Sequence, residues 1–204
     1  DVTGDALWVD DHWMQRVRMP VGEAEFALHA PGAHNLHNAL AAVTPALPAR
    51  APLDAIVRGI EAFRPVSGRS RLLAWQRGGE QVVLVDDSYN ANADSVRAAI
   101  DLLMGLPAPH WLVLGDMGEV GERSSEFHRE VGEYAGAKGV TQLLAMGEAT
   151  RETVKAFGPN ARHFDSVQDL IANLKGNTIL VKGSRFMKME RVVAALTGTA
   201  EGGH

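Results

Sequence analysis

From residue 82 onward, short apolar segments alternate with helical patterns, and this alternation constrains the fold more than any other feature. The apolar segments, typical of buried parallel strands, lie at 82–85, 111–114, 142–146, 162–164 and 178–181. Apolar residues recur at helical spacing between and after them, at 95–104, 125–137, 149–157, 167–174 and 186–196. Because helices cover both faces of a parallel sheet, this order predicts an α/β fold with a doubly wound, mostly parallel sheet.

A hairpin is expected to open this sheet. Residues 72–75 and 82–85 flank Arg77-Gly78-Gly79, and apolar segments joined by such a glycine turn are typical of a β-hairpin. The first strand of the pair should therefore lie antiparallel at the edge of the sheet.

The first part of the chain has a different pattern. Alternating residues at 6–9 and 24–28 predict short antiparallel strands. Apolar residues at helical spacing run from 35 to 62 and are interrupted by Pro45 and Pro48, which predicts two helices. We therefore expect a small α+β unit ahead of the sheet.

A domain boundary is predicted within 61–70, where Pro65 and Gly68 interrupt the periodicity, so that the domains are 1–66 and 67–204. A chain of 204 residues suits one full domain plus a piece of another. It also begins with aspartate rather than methionine. We therefore expect it to be a piece of a longer protein.

Composition excludes several classes of protein. The chain contains no cysteine, which excludes disulfide frameworks and thiolate metal sites and favours the reducing cytoplasm. Its net charge of -5 comes from interspersed acidic and basic residues, so no nucleic-acid partner is expected. No segment approaches the roughly 20 apolar residues that span a bilayer, so membrane insertion is not expected either.

Polar residues follow four of the predicted strands. Ligands of doubly wound sheets bind beyond the carboxyl ends of the strands, so these residues are the candidates for a site. They occupy 86–92, 115–119, 147–148 and 182–185. Acids, amides, basic residues and glycines on one rim provide more polar chemistry than chain connection requires.

The acidic pair Asp86 and Asp87 has two interpretations. Carboxylates at a strand end can accept hydrogen bonds from ribose hydroxyls or help to hold a divalent cation. Alternatively they shape the turn, and Asn92 or Asp94 caps the helix that follows. The spacing alone leaves both interpretations open.

Asn35 and Asn38 are three residues apart at the start of a predicted helix, so their side chains should share one face. An amide offers both a donor and an acceptor, which suits the edge of an adenine. Alternatively, Asn35 is an N-cap and Asn38 an ordinary exposed residue. His34 and His37 have the same spacing, but no third ligand is evident, so no metal site is predicted.

Three basic residues complete the candidates. Arg69 lies at the predicted domain junction, where it is suited to neutralise nucleotide phosphates, although solubility is the commoner role of a single arginine. Lys182 and Arg185 follow a buried-type strand on either side of Gly183. They either hold a substrate carboxylate or flank the turn.

Five segments together resemble the Mur ligase family. They are His34-Asn35 with Asn38-Ala39, Gly68-Arg69, Asp86-Asp87-Ser88-Tyr89-Asn90-Ala91-Asn92, and residues 114–121 and 181–190. The resemblance covers nearly the whole chain and is weakest in its first 30 residues. Within the family, the segments are most similar to the ligase that adds D-alanyl-D-alanine to UDP-N-acetylmuramoyl-tripeptide. Ala33 and Ala93 depart from the pattern, because the family often has arginine and proline there.

The resemblance implies the last part of a three-domain, ADP-forming peptide ligase of peptidoglycan synthesis. Residues 1–66 would end its central ATP-binding domain, and 67–204 would form its Rossmann-like C-terminal domain. In such ligases the tripeptide carboxylate attacks the γ-phosphate of ATP, and the amine of D-alanyl-D-alanine then captures the acyl phosphate.

The cofactors implied are ATP and Mg²⁺, and the implied enzyme is a monomer. The phosphate-binding pattern Gly-x-x-x-x-Gly-Lys-[Ser/Thr] does not occur in this chain. The family's magnesium ligands and its modified lysine also belong to a part that the resemblance does not cover. The chain alone is therefore expected to be inactive.

The resemblance also assigns roles to single residues. It implies that Asn35 and Asn38 face the adenine, that Arg69 acts in catalysis on the phosphates and that Asp87 binds the ribose. The residues implied in ATP binding are Asn35, Asn38, Arg69, Asp87, Tyr89 and Asn92. Those implied in binding the acceptor dipeptide are Asp116, Glu119, Lys182, Ser184 and Arg185.

Other functions stay open. A different Mur-type ligase or a folylpolyglutamate-type synthase would share the nucleotide contacts and differ at the acceptor loops. A non-catalytic nucleotide-binding module would also lack the phosphate loop. A Gly-Lys-[Ser/Thr] loop encoded upstream in the same gene would distinguish a ligase from such a module.

Overall fold

The computed structural model describes residues 2–10 and 12–198. The chain divides into two compact units, Asp1–Val66 and Ser67–His204. No helix in the described part of the chain is long and apolar enough to cross a membrane. The assignment of the two units to the central and C-terminal domains of a larger ligase stays a prediction.

The first unit is a three-stranded antiparallel sheet with two helices packed against it. Its elements are β1 (Thr3–Val9), β2 (His12–Met19), β3 (Gly22–Leu28), α1 (His34–Ala46) and α2 (Leu53–Ala62). The predictions for β1, β3 and both helices are confirmed. Helix α1 includes Pro45 and ends one residue later at Ala46, because a proline has no N–H to donate to the preceding turn and its ring clashes with the carbonyl four residues earlier.

The middle strand β2 was missed by the sequence patterns. Its inward-facing positions include Gln15, which is 1% exposed and donates from Nε2 to the carbonyl oxygen of Leu36 at 3.3 Å. A buried glutamine interrupts the apolar alternation on which strand prediction depends. The strand is therefore recognised from its pairing and burial, not from its pattern.

The second unit is a doubly wound six-stranded sheet. Its strands are β4 (Arg71–Arg77), β5 (Glu80–Asp87), β6 (His110–Gly115), β7 (Gln142–Met146), β8 (Ala161–Phe164) and β9 (Thr178–Lys182). In space their order is β4-β5-β9-β6-β7-β8. Strand β4 pairs antiparallel with β5, and all other neighbours are parallel. The predicted fold class and the antiparallel edge hairpin are both confirmed.

Helices cover both faces of this sheet. They are α3 (Ala93–Met104), α4 (Ser124–Lys138), α5 (Thr150–Phe157), α6 (Val167–Asn173) and α7 (Glu190–Thr197). Leu112 and Leu114 of β6 belong to the core that α3 and α4 share, whereas Val113 belongs to the core on the other face, with α6 and α7. Burial on both faces explains why the strands read as continuous apolar runs.

The prediction of one helix over 186–196 is wrong at its start. A 3-10 turn, Arg185–Met187, is followed by Lys188 with φ of 50° in the left-handed region, and α7 begins only at Glu190. The apolar side chains of the turn suggested a helix, yet Phe186 is 63% exposed. The chain turns there because Met189 is buried against Gly183, where an added Cβ would lie 2.5 Å from the Met189 Cγ.

Candidate functional site

Three neighbouring strands end at the same edge of the large sheet. Asp87 of β5 pairs with Lys182 of β9, and Leu114 of β6 pairs with the same lysine from the other side. The loops that leave β5, β6 and β9 are therefore adjacent. These loops hold most of the candidate residues, and we call this edge of the sheet the rim.

Asp86 shapes the turn at the rim. It is 1% exposed, and its carboxylate accepts from the backbone N–H of Gly68 at 2.9 Å, the hydroxyl of Ser67 at 3.1 Å and the hydroxyl of Ser88 at 2.6 Å. The buried charge is thus surrounded by donors, as a buried carboxylate requires. For Asp86 the structure supports the turn-shaping interpretation.

Asp87 and Lys182 form a buried ion pair. The lysine Nζ lies 2.5 Å from Asp87 Oδ2, and the two side chains are 3% and 13% exposed for lysine and aspartate. Lys182 also donates to the carbonyl oxygen of Asn90 at 2.9 Å, while Asp87 Oδ1 accepts from the Ser70 N–H at 2.8 Å. The ribose role of Asp87 and the carboxylate role of Lys182 stay predictions, and each requires a ligand to share these bonds or replace them.

Ser184 joins all three loops. Its hydroxyl donates to the carbonyl oxygen of Ala91 at 3.1 Å and accepts from the N–H of Gly118. Its own N–H donates to the carbonyl oxygen of Asp116 at 2.9 Å. The side chain is buried at 2% exposure. In this structure Ser184 therefore supports the rim, and its predicted contact with the acceptor stays a prediction.

The loop after β6 separates its two acids. Asp116 Oδ1 accepts from the N–H of Thr150, at the start of α5, at 2.8 Å. Glu119 is exposed and has φ of 57°. Asp116 is partly buried, and the predicted contacts of both acids with the acceptor stay predictions.

His128 holds this loop in place and was missed by sequence reasoning. It is fully buried, and its Nε2 accepts from the N–H of Met117 at 2.9 Å. Its Nδ1 lies 2.8 Å from the carbonyl oxygen of Ser124, which can only accept, so Nδ1 carries the proton. A histidine within the apolar face of α4, between Phe127 and Val131, was the signal that could have revealed it.

The Tyr89 ring lies next to the guanidinium groups of two arginines. The guanidinium carbon of Arg69 lies 4.3 Å from the centre of its ring, and that of Arg185 lies 5.6 Å from it. Arg185 also donates to Glu190 at 2.8 Å. Arg69 forms no salt bridge with any residue that the structure describes. Arg69, which was predicted to act on the phosphates, and Arg185, which was predicted to bind the acceptor, thus both lie beside the Tyr89 ring.

Asn92 is the N-cap of α3. Its Oδ1 accepts from the Ser95 N–H at 2.8 Å, and the Ser95 hydroxyl accepts from the Asn92 N–H at 3.0 Å. This reciprocal arrangement is a capping box. The capping interpretation is confirmed for Asn92, and its ATP-binding role stays a prediction.

Asn35 and Asn38 lie together in the first unit. Asn38 Nδ2 donates to Asn35 Oδ1 at 3.0 Å, and Asn35 Nδ2 donates to the carbonyl oxygen of Pro31 at 2.7 Å. The prediction that both amides share a face is confirmed. The alternative that Asn35 is an N-cap is wrong, because Ala33 occupies that position without a side-chain bond.

The two amides border an apolar pocket of about 550 Å³ within the first unit. The rest of its lining comes mainly from small and aliphatic residues, among them Ala39, Ala42, Ala55, Ile56 and Ile60. Apolar walls with a few polar groups are typical of small-molecule sites. That the two amides face an adenine stays a prediction.

Comparisons with known proteins agree with these features. Residues 68–185 match the family described as Mur ligase, glutamate ligase domain. The chain is 39% identical to UDP-N-acetylmuramoyl-tripeptide–D-alanyl-D-alanine ligase from Escherichia coli, over 96% of this chain and 44% of the relative. The protein of the same name from Haemophilus influenzae is 39% identical over 87% of this chain and 40% of the relative.

Solved structures of MurF proteins are also similar to this chain. MurF from Acinetobacter baumannii superposes with a TM-score of 0.83 at 28% identity, over 97% of this chain and 45% of the other. MurF from Thermotoga maritima, solved in complex with ADP, has the same fold, with a TM-score of 0.79 at 24% identity over 98% of this chain and 46% of the other. The chain thus spans less than half the length of these proteins. Because the family match covers more than half of its residues, the chain belongs to the Mur ligase family.

Proposed function

We propose that the chain is the C-terminal part of an ATP-dependent, ADP-forming ligase that adds D-alanyl-D-alanine to UDP-N-acetylmuramoyl-tripeptide in peptidoglycan precursor synthesis. The observation that carries this proposal is the similarity to a ligase of that name along 96% of the chain. The cluster of arginines at the rim supports it, because both phosphoryl transfer and a carboxylate-bearing acceptor require fixed cations.

ATP is the proposed nucleotide. The amides of Asn35 and Asn38 border an apolar pocket that suits adenine, and Arg69 has no carboxylate partner among the described residues and can neutralise phosphate charge. We propose that Asp87, Tyr89 and Asn92 act on the same side of the reaction. That MurF from Thermotoga maritima was solved with ADP supports a nucleotide of this class.

We propose that the ligase uses Mg²⁺ and that residues outside this chain supply most of its ligands. Within the described ranges, no group of three or more His, Asp and Glu side chains is arranged to hold a metal ion. Asp86 and Asp87 are already bonded to Ser67, Gly68, Ser70 and Lys182. We therefore assign no step to a metal held by this chain.

Arg185 is the proposed anchor for the acceptor carboxylate. Its side chain is 62% exposed, and a guanidinium has five N–H donors, so the bond to Glu190 leaves most of them for a ligand. Glu119 is the exposed acid on the neighbouring loop, where it suits the amine of the dipeptide. Holding both ends of the dipeptide orients the amine for attack, which is the main contribution expected of such a site.

Two further statements belong to this proposal. We propose that residues 1–66 end a central ATP-binding domain and that 67–204 form the C-terminal domain. We also propose a cytoplasmic location, which is supported by the lack of cysteine in the chain.

A chimeric ligase tests the function directly. The segment of the Escherichia coli relative that matches this chain is replaced by the chain, and ADP release is measured with UDP-N-acetylmuramoyl-tripeptide. We expect turnover to depend on D-alanyl-D-alanine and the isolated chain to show none. The unmodified relative is the control for the assay, and circular dichroism of the chimera verifies that it folds.

The choice of acceptor distinguishes the other functions. Stimulation by D-glutamate or a diamino acid in place of the dipeptide would indicate a different Mur-type ligase. Glutamate-dependent turnover with a folate would indicate a folylpolyglutamate-type synthase. A folded chimera that binds ATP without turnover would indicate a non-catalytic nucleotide-binding module.

A further inference from the structure

The Tyr89 ring contacts one arginine from each side of the proposed reaction. Its side chain is 44% exposed, so the ring lies at the surface rather than in the core. Arg69 approaches it from the segment before β4, and Arg185 from the turn after β9. These arginines are 116 positions apart in the sequence. Only the tertiary structure brings them to one ring.

The backbone fixes Arg69 against this ring. The Tyr89 N–H donates to the carbonyl oxygen of Gly68 at 3.0 Å. Gly68 has φ of 79°, and a Cβ added there would lie 3.1 Å from the Tyr89 Cβ and N. The close approach therefore requires glycine, and it places the next residue, Arg69, beside the aromatic ring.

The charges at this point favour an anion. The guanidinium carbons of Arg69 and Arg185 lie 4.3 and 5.6 Å from the same ring centre, and among the described residues the two groups have one carboxylate partner, Glu190 on Arg185. The electron-rich face of an aromatic ring stabilises a cation above it. The ring therefore stabilises both positive charges without a second acid, and the resulting excess of positive charge suits a phosphate or a carboxylate.

We propose that Tyr89 is a positioning residue that holds Arg69 and Arg185 on one ring, so that the cation for the nucleotide phosphates and the cation for the acceptor carboxylate form one continuous anion-binding surface. This inference rests on the proposed function. It gives Tyr89 a role through the two arginines, in addition to its proposed role in ATP binding. In this proposal the aromatic face of Tyr89 holds the two arginines, and its hydroxyl does not contribute.

Kinetics of the chimeric ligase test the proposal. Tyr89→Leu should raise the KM for ATP and the KM for D-alanyl-D-alanine by about two- to fivefold each, the size expected from losing a cation–π contact. Tyr89→Phe keeps the aromatic face and should recover most of both effects. Tyr134→Leu is the matched control, because Lys138 lies 5.1 Å from that ring on α4, outside the rim, and neither KM should change.

Double substitution sharpens the test. Arg185→Ala should raise the KM for the acceptor less in the Tyr89→Leu background than alone, because the two residues act together. Equal effects of Tyr89→Phe and Tyr89→Leu would overturn the proposal by assigning the role to the hydroxyl. A change in the KM for ATP alone would overturn it as well, since Tyr89 would then serve the nucleotide only.

Nuclear magnetic resonance of the chain itself separates this inference from the proposed function. The Hδ protons of both Arg69 and Arg185 should show upfield ring-current shifts that Tyr89→Phe retains and Tyr89→Leu removes. If the Hδ protons of Arg185 show no such shift, the proposal that Tyr89 holds both arginines is wrong, whatever the activity of the chimera. A chimera that ignores D-alanyl-D-alanine while both shifts are present would instead count against the proposed function.

Discussion

The polar residues of the rim form an inner and an outer layer that differ in burial. The inner layer, Asp86, Asp87, Lys182 and Ser184, is buried or nearly so, and its side chains bond to other parts of the protein. The outer layer, Arg69, Tyr89, Glu119 and Arg185, is exposed. Both layers contain acids and bases of the kind that bind nucleotides and carboxylates, so residue type alone does not separate them.

Burial explains the difference between the layers. A charge removed from water must be paired and hydrogen-bonded within the protein. The side chains of the inner layer accordingly form hydrogen bonds with Gly68, Ser70, Asn90 and Gly118. An exposed guanidinium keeps its hydration and can exchange water for a ligand. The inner layer therefore determines where the loops lie, and the outer layer determines what they can bind.

The largest effect on stability is expected for Lys182→Met. Removing one partner leaves Asp87 charged and buried, which typically costs about 3–5 kcal/mol, and urea unfolding of the chain measures it. Lys138→Met is the matched control, because Lys138 pairs with Asp101 with both side chains over 40% exposed, at 42% and 48%. The control should lose at most about 1 kcal/mol. Similar losses for the two variants would contradict the distinction between the layers.

A smaller effect is expected for Ser184→Ala. The substitution removes the acceptor for the Gly118 N–H and the donor to Ala91, and a buried polar group left unpaired costs about 1–3 kcal/mol. Hydrogen exchange at the Gly118 amide should accelerate, since that amide loses its partner. Ser125→Ala, at an exposed position on α4, should change stability by less than about 0.5 kcal/mol. An unchanged exchange rate at Gly118 would show that Ser184 does not hold the loop.

The smallest effect on stability is expected for Arg185→Ala, because its bond to Glu190 is solvent-exposed and worth at most about 1 kcal/mol. In the chimeric ligase the KM for D-alanyl-D-alanine should nevertheless rise about ten- to a hundredfold, the cost of one hydrogen bond to a charged group. The KM for ATP should change much less. Arg151→Ala, an exposed arginine on α5, should alter neither constant. A large loss of stability in Arg185→Ala would place this arginine in the inner layer.

Much of the fold was predictable because its information is local. The apolar runs of β6, β7 and β9 and the glycine turn between β4 and β5 are patterns within a few residues, and the structure confirms each of them. The misses have non-local causes. Strand β2 contains Gln15, which bonds to Leu36 of α1, and the start of α7 is displaced because Met189 packs against Gly115 at the end of β6.

Prediction of the site from sequence was limited by non-local contacts as well, as Lys182 and Arg185 show. They are three positions apart in one segment, and the sequence predicted that both hold one carboxylate. In the structure, Lys182 is the last residue of β9 and is buried against Asp87, whereas Arg185 lies beyond the Gly183-Ser184 turn and is exposed. Spacing along the chain does not determine which neighbour a side chain meets from another strand.

The sequence by itself determined the fold class, the edge hairpin and the types of residue that follow the sheet strands, because apolar periodicity and turn chemistry act over a few residues. Only the tertiary structure decided which of those residues support the site and which are exposed to a ligand. Burial and charge pairing depend on strand order, and β9 lies between β5 and β6 although it follows them both in the chain. That insertion places Lys182 beside Asp87, joins Ser184 to Gly118, and brings Arg185 to the ring that holds Arg69.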